Sequence, residues 1–399
     1  MLPKDARNLV PLREETGRRE ERILTTVALI SQRNYEEKGL AQSMQRLLSE
    51  LGGMGNFIKA GDRVLLKANM LSARSPEKRI TTDPAIVEQV AVMVMDCGGR
   101  PFIGDSPGIE PFGQVARASG IAEVGGKLGI PVVELDDPVQ VPPVKGARFK
   151  QIEISAKVLD ADKVINLPKL KTHAQMLLTL GVKNLFGTVV AQRKAEWHYK
   201  TGLDRNTFAS LHLDIYRAVK PVLTILDGIW GMEGHGPGNG KPRNFGILAA
   251  SEDAVALDCS ICRILGIPPE DFPLYREARK RGIGETDPEN IDYRGDFDPA
   301  APIEDVDIPR LDSLNLLPGS LRFLGPLMTS RPYQDPSKCI GCGECVKICA
   351  AHAITLEGKT LAYDYGKCIR CFCCQEVCPA NAIGFKKGLL LRTMELLRR

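Results

Sequence analysis

The chain has 399 residues, 43% of them hydrophobic, and a formal net charge of +4. That length supplies two or three domains and a sizeable core, while a charge so near balance gives no global attraction for nucleic acid. The first 22 residues contain no apolar segment of the signal-peptide kind. No apolar run approaches the roughly 20 residues that cross a bilayer, so the expectation is a cytoplasmic protein without a membrane partner.

In chain order, residues 1–22 are charged and aperiodic and read as a flexible arm. "TVALI" (26–30) has strand character, and "GLAQSMQRLLSEL" (39–51) has helical periodicity. "DRVLLKAN" (62–69) is a second strand. "DPAIVEQVAVMVMDCG" (83–98) predicts a helix capped by Asp83, with Pro84 at its first position and Gly98 as its stop. A strand and turn follow over 100–108, and a helix over 112–120. "PVVELD", "DKVINLP", "VLTILDG" and "FGILAAS" supply further strands, and "EDAVALDCSICRILG" (252–266) is a strong helix. Alternating strands and helices predict an α/β layered sandwich with a largely parallel sheet over residues 23–290. Residues 291–330 read as elaboration and linker, 331–385 as a small α+β ferredoxin-like domain, and 386–399 as an amphipathic helix with basic ends.

Eight of the twelve cysteines form two C-x2-C-x2-C-x3-C runs, Cys339–Cys349 and Cys368–Cys378. Three thiolates spaced by two residues wrap one cube of iron and sulfide, and the fourth reaches the other cube. One 4Fe-4S cluster is therefore assigned Cys339, Cys342, Cys345 and Cys378. The second is assigned Cys368, Cys371, Cys374 and Cys349. Cys373 offers an alternative third ligand, which the spacing disfavours. From Arg331 to the end there are 11 basic and 6 acidic residues, a surplus that two cubes of about −2 each would roughly offset. This stretch resembles the two-cluster 4Fe-4S ferredoxin family.

Four further motifs, "TTDPAIVEQVAVMVMDCGGRPFIGDSPG", "INLPKLKTHAQMLLTLGVKNLFGTV", "LDGIWGMEGHGPGNGKP" and "ASEDAVALDCSICRILGI", occur in that order. Together they resemble the domain of unknown function 362 family, whose members often carry a C-terminal ferredoxin module. The resemblance implies an iron–sulfur protein and supplies no substrate.

Candidate site residues come from loops expected at the carboxyl ends of parallel strands, where ligands gather. Asp105 and Ser106 sit in a Gly/Pro-bounded turn that could hold an anion on its amides, bind a cation, provide a base or simply cap a helix. Lys169, Lys171 and His173 alternate after the apolar "KVINLP". With Lys183 and Asn184 they suit a carboxylate or phosphate, or else ion pairs within the protein. Residues 227–242 hold six glycines with Glu233 and His235, a pattern for a lid, close backbone approach or an irregular loop. His198, between Trp197 and Tyr199, is a candidate acid, or else part of a surface aromatic patch that docks the ferredoxin domain. His173, Glu233 and His235 are candidate proton-transfer groups beside it. Cys259 and Cys262 read as buried.

Three functions fit this inventory. The leading one is an oxidoreductase passing electrons from a donor protein through two 4Fe-4S clusters to a small anionic substrate. A non-catalytic carrier docking a partner enzyme and a metal-centre maturation factor are the alternatives. Anaerobic reconstitution should load about eight irons per chain; four or fewer would contradict the assignment of two clusters.

Overall fold

The computed structural model describes residues 24–309, apart from 109, 192 and 203, and residues 330–386. The predicted arm and nearly all of the predicted terminal helix lie outside the described residues, as does 310–329 of the linker.

The strands of the large domain are β1 (Thr25–Ser31), β2 (Arg63–Lys67), β3 (Arg100–Asp105), β4 (Val132–Glu134), β5 (Pro138–Val141), β6 (Ile152–Ser155), β7 (Lys163–Asn166), β8 (Lys169–His173), β9 (Leu177–Thr179), β10 (Leu223–Glu233), β11 (Lys241–Ser251) and β12 (Ile291–Gly295). Its helices are α1 (Glu37–Ser49), α2 (Pro84–Asp96), α3 (Phe112–Ala118), α4 (Ile121–Leu128), α5 (Ala156–Leu159), α6 (Gly181–Asn184), α7 (Arg193–Thr201), α8 (Arg205–Val219), α9 (Ala254–Ile264) and α10 (Pro273–Arg281). The main sheet runs β12-β1-β11-β10-β7-β2-β3-β4, with β8 against β10 and β9 against β8. Strand β11 is antiparallel to both its neighbours, and the other seven of that row run the same way.

Strand β2 follows the two-residue alternation of the pleat. Val64 and Leu66 pack with α1, α2, α3 and α4 on one face. Leu65 faces α8, α9 and α10 on the other. Both faces are thus covered, which is why the strands read as continuous apolar runs. The result is a three-layer α/β/α sandwich. Asp83 accepts from Ala85 N and caps α2 ahead of Pro84, as the sequence predicts. Strand β12 pairs in parallel with β1, so the sheet recruits residues 291–295 from the stretch read as elaboration.

Two local expectations change. Residues 169–173 form a paired, fully buried strand instead of a loop. Residues 227–242 are mostly the β10–β11 hairpin, pairing Trp230 with Asn244 and Glu233 with Lys241. Its glycines serve close approach within the protein rather than a lid. At Gly231 a Cβ would collide with Leu170 O and the Phe245 ring.

The C-terminal module repeats itself. Strands Arg331–Gln334 and Thr360–Tyr363 precede the two cysteine runs and pair with Ile383–Lys386 and Ile354–Glu357 respectively. The helices Glu344–Lys347 and Cys373–Glu376 occupy equivalent places in the two halves, each entered through a residue of positive φ, Gly343 and Phe372. Lys386 ends a strand here, so the predicted helix does not begin at that residue.

Candidate functional site

Lys67 at the carboxyl end of β2, and Lys169 and Lys171 in β8, are all buried, and each burial must be compensated. Lys67 reaches Asp105 Oδ1 at 2.7 Å with both side chains nearly inaccessible. The Asp105 carboxylate also accepts from Met70 N at 2.5 Å and from Ser106 N at 2.8 Å. Its lone pairs are thus engaged inside the protein, so Asp105 is a counter-ion rather than a free base or cation ligand. The pair fits because residue 187 is glycine; a Cβ there would collide with Asp105 Oδ1 and Lys67 Nζ. The Ser106 amide bonds Asp105 and the Ser106 hydroxyl accepts from Ala191 N. The expected anion-holding amide is therefore already used, although Ser106 does line the cleft described below.

Lys169 Nζ lies 2.7 Å from Asp227 Oδ2 and 2.9 Å from the Tyr35 hydroxyl. Lys171 Nζ donates to Asn69 Oδ1 at 2.7 Å and Ile80 O at 2.6 Å. Burial, then the nearby Lys183 charge, pulls the Lys171 amine down to about 7. Neither amine lines the cleft, which corrects the expectation that both hold substrate. An amide relay links Lys171 to it. Asn69 Nδ2 donates to Asn184 Oδ1, and Asn184 Nδ2 donates to Asn166 Oδ1, at 2.9 and 2.8 Å.

The cleft itself, about 1030 Å³ including space open to solvent, lies between the large domain and the C-terminal module. One wall offers Lys183, Lys194, His198 and Asn184; the other offers Cys373 and Glu376. Burial lowers the Lys183 amine, opposed by Glu376, and burial brings Lys194 down to about 7. Lys194 Nζ donates to Ser106 O at 2.6 Å. His173 sits behind this wall with Nε2 3.4 Å from Glu376 Oε1. Burial, reinforced by Lys183, holds the His173 imidazole well below its usual range and takes His198 down to about 3. Burial thus favours the neutral form of both rings.

Glu233 and His235 are not part of it. Glu233 pairs with Arg243 at 3.0 Å and accepts from Asp307 N. His235 is exposed, with its ring 5.0 Å from that of Phe385. Its carbonyl accepts from Gln375 Nε2, and Asn239 Nδ2 donates to Gln375 O. The hairpin tip is therefore a seam between domains, where proton transfer was expected. Lys194, Gln175, Cys373 and Glu376 were not assigned from sequence. Only Cys373 gave a signal there, as an extra thiol beside a ligand.

The thiol sets fit cubes. Cys339, Cys342, Cys345 and Cys378 line one apolar pocket of about 340 Å³ including space open to solvent, with Leu356, Leu361 and Ile383 as walls. In the other set Cys374 is close enough to Cys371, Cys368 and Cys349 for their charges to interact, and Cys368 to Cys371 and Cys349. No three described His, Cys, Asp or Glu side chains converge on a single ion. A cube instead needs thiols spread around a volume, one per iron corner. Amides of Ala353 and Ala382 donate to Cys349 and Cys378 sulfurs at 3.3 and 3.2 Å, as amides do to cluster-bound sulfur.

Residues 64–263 match the family described as "Domain of unknown function (DUF362)", and residues 331–379 match a 4Fe-4S dicluster domain. A thylakoid-associated protein of Synechocystis sp. is 42% identical over 271 residues, which make up 66% of this chain and 82% of that protein. The chain belongs to the DUF362 family. It is an iron–sulfur protein. Among solved structures, the lactate racemase apoprotein from Thermoanaerobacterium thermosaccharolyticum matches with a TM-score of 0.37 and 13% identity. That match covers 59% of this chain and 56% of the racemase, a likeness too loose to bear on chemistry. Among the described residues of this DUF362 protein, no helix is long and apolar enough to cross a membrane.

If Asp105 is the counter-ion of Lys67, Asp105→Asn strands a buried amine and should cost about 3 kcal/mol. Urea unfolding followed by Trp197 and Trp230, both in the large domain, measures this; a loss under about 1 kcal/mol would contradict the assignment.

Proposed function

We propose that this DUF362 protein is an oxidoreductase in which two 4Fe-4S clusters pass single electrons to a small anionic substrate in the interdomain cleft. The observation that carries this reading is the shared wall. Cys373 and Glu376 flank ligand Cys374 on one short helix and line the same cleft as Lys183, Lys194 and His198. A molecule in the cleft therefore touches the cluster-bearing helix and the polar strand-end wall together. Each bound cube supplies or accepts one electron.

The residues favour an anion. Among the described residues, no carboxylate lies within ion-pair distance of the Lys183 or Lys194 amines, and both have been pulled down by burial. An anion entering the cleft would stabilise their protonated forms and be stabilised in turn. The reading takes the cytoplasm as the working compartment, since free thiols and cubes need reducing surroundings. It requires an electron-donor protein, and the thylakoid association of the Synechocystis relative makes a membrane-surface donor the first to test.

The holoprotein, reduced anaerobically, should be offered a panel of small carboxylates and phosphates while the visible absorbance of the oxidised clusters recovers. At least one should speed re-oxidation, and Lys183→Ala and His198→Ala should each slow that reaction at least tenfold with the cluster EPR signals retained. Re-oxidation at equal rates in wild type and both variants would refute a substrate site in the cleft.

A further inference from the structure

Gln175 belongs to the turn between β8 and β9 and is almost fully buried. It touches both histidines near the cleft. Its backbone N–H donates to His173 Nδ1 at 3.0 Å, and Met176 N donates to the same atom at 3.2 Å. A nitrogen accepting two amide protons carries none of its own, so the His173 proton sits on Nε2. That N–H lies 3.4 Å from Glu376 Oε1 without a hydrogen bond to it.

The Gln175 side chain imposes the opposite state on His198. Its Oε1 lies 3.1 Å from His198 Nδ1. An amide oxygen only accepts, so Nδ1 must hold the proton and Nε2 is left as a lone pair. The His198 ring is fixed by Phe208, with centroids 4.4 Å apart, and by the Phe186 edge at 5.9 Å. Phe186 and His198 both border the cleft.

We infer that Gln175 is a positioning residue that holds the two imidazoles in opposite tautomers. His198 thereby offers the cleft a hydrogen-bond acceptor, and His173 keeps an unbonded Nε2–H on the side of Glu376 across the domain seam. Resting on the cleft as a substrate site, this narrows the ligand class to a small anion that also carries an O–H or N–H donor. The anionic end meets Lys183, and the donor meets His198 Nε2. Sequence reading passes over Gln175 because glutamine in a polar turn is unremarkable; only the pair of ring contacts gives it a role.

The chain has five histidines, so imidazole-15N labelling of the anaerobic, oxidised holoprotein resolves each ring, with single His→Gln variants for assignment. Long-range proton–nitrogen correlation spectra should show His198 protonated on Nδ1 and His173 on Nε2. In Gln175→Leu the His198 pattern should shift towards Nε2 protonation, while His173, held by backbone amides, keeps its own. Gln175→Glu, which retains an acceptor, should restore Nδ1 protonation of His198. Wild-type His198 protonated on Nε2 would overturn the proposal whether or not the variants fold. So would a Gln175→Leu spectrum identical to wild type. The spectra need no substrate. Correct tautomers in a protein that no acceptor re-oxidises would therefore count against the redox reading and leave the role of Gln175 standing.

Discussion

Burying a lysine amine costs several kcal/mol unless acceptors meet it, and this chain does so three times, with Lys67 at the end of β2 and Lys169 and Lys171 in β8. The Lys67–Asp105 pair fixes the exit of β2 against that of β3, and it draws in Met70, Ser106 and Gly187. Lys169–Asp227 locks β8 to β10, and Lys171 holds Asn69 at the start of the amide relay. These contacts consume most of the polar groups at the carboxyl edge. What they leave without a carboxylate partner among the described residues, chiefly the Lys183 and Lys194 amines, together with one face of His198, is what the cleft has to work with. The rigidity of the buried pairs is the reason the remaining groups can stand at fixed positions beside the iron–sulfur module.

The module reaches the sheet edge through one short helix. Cys373–Glu376 lies between two ligand positions of the second run, so any geometry imposed by thiol ligation is imposed on Gln375 and Glu376 as well. Gln375 bonds the hairpin tip through the His235 carbonyl and Asn239, and Glu376 approaches His173 and Lys183. In the equivalent helix of the first half these two positions are Val346 and Lys347, and Lys347 is exposed and pairs locally with Glu344. The internal repeat is thus symmetric in backbone and asymmetric in contact. The second half supplies the hydrogen bonds to the large domain; the first adds Ile348, buried with Ala195, while its Cys342 and Ile340 lie open to solvent.

The sequence disclosed the cysteine spacing, the repeat, the alternating strands and helices and the Asp83 cap, because each is encoded within a few residues of itself. Lys169 and Lys171 show the limit. Alternating cations after an apolar strand read the same whether they await a ligand or an internal partner. Their partners, Asp227, Asn69 and Ile80, lie dozens of residues away and announce nothing locally. The glycines of 227–242 are equally silent about whether a ligand or the protein's own carbonyls crowd them. Glu376 was invisible for another reason: its role depends on which surface of the cluster module faces the sheet. Lys183, Asn184, Ser106 and His198, in contrast, were legible and do line the cleft.

The central claim is that one cluster shares the cleft with the strand-end wall. Redox titration followed by EPR, in wild type and Lys183→Ala, tests it without knowledge of the substrate. Removing a positive charge beside the second thiol set destabilises the more negative, reduced cluster there. The account predicts that one of two midpoint potentials moves to a more negative value while the other stays in place. Two unchanged potentials, or two that shift together, would contradict it.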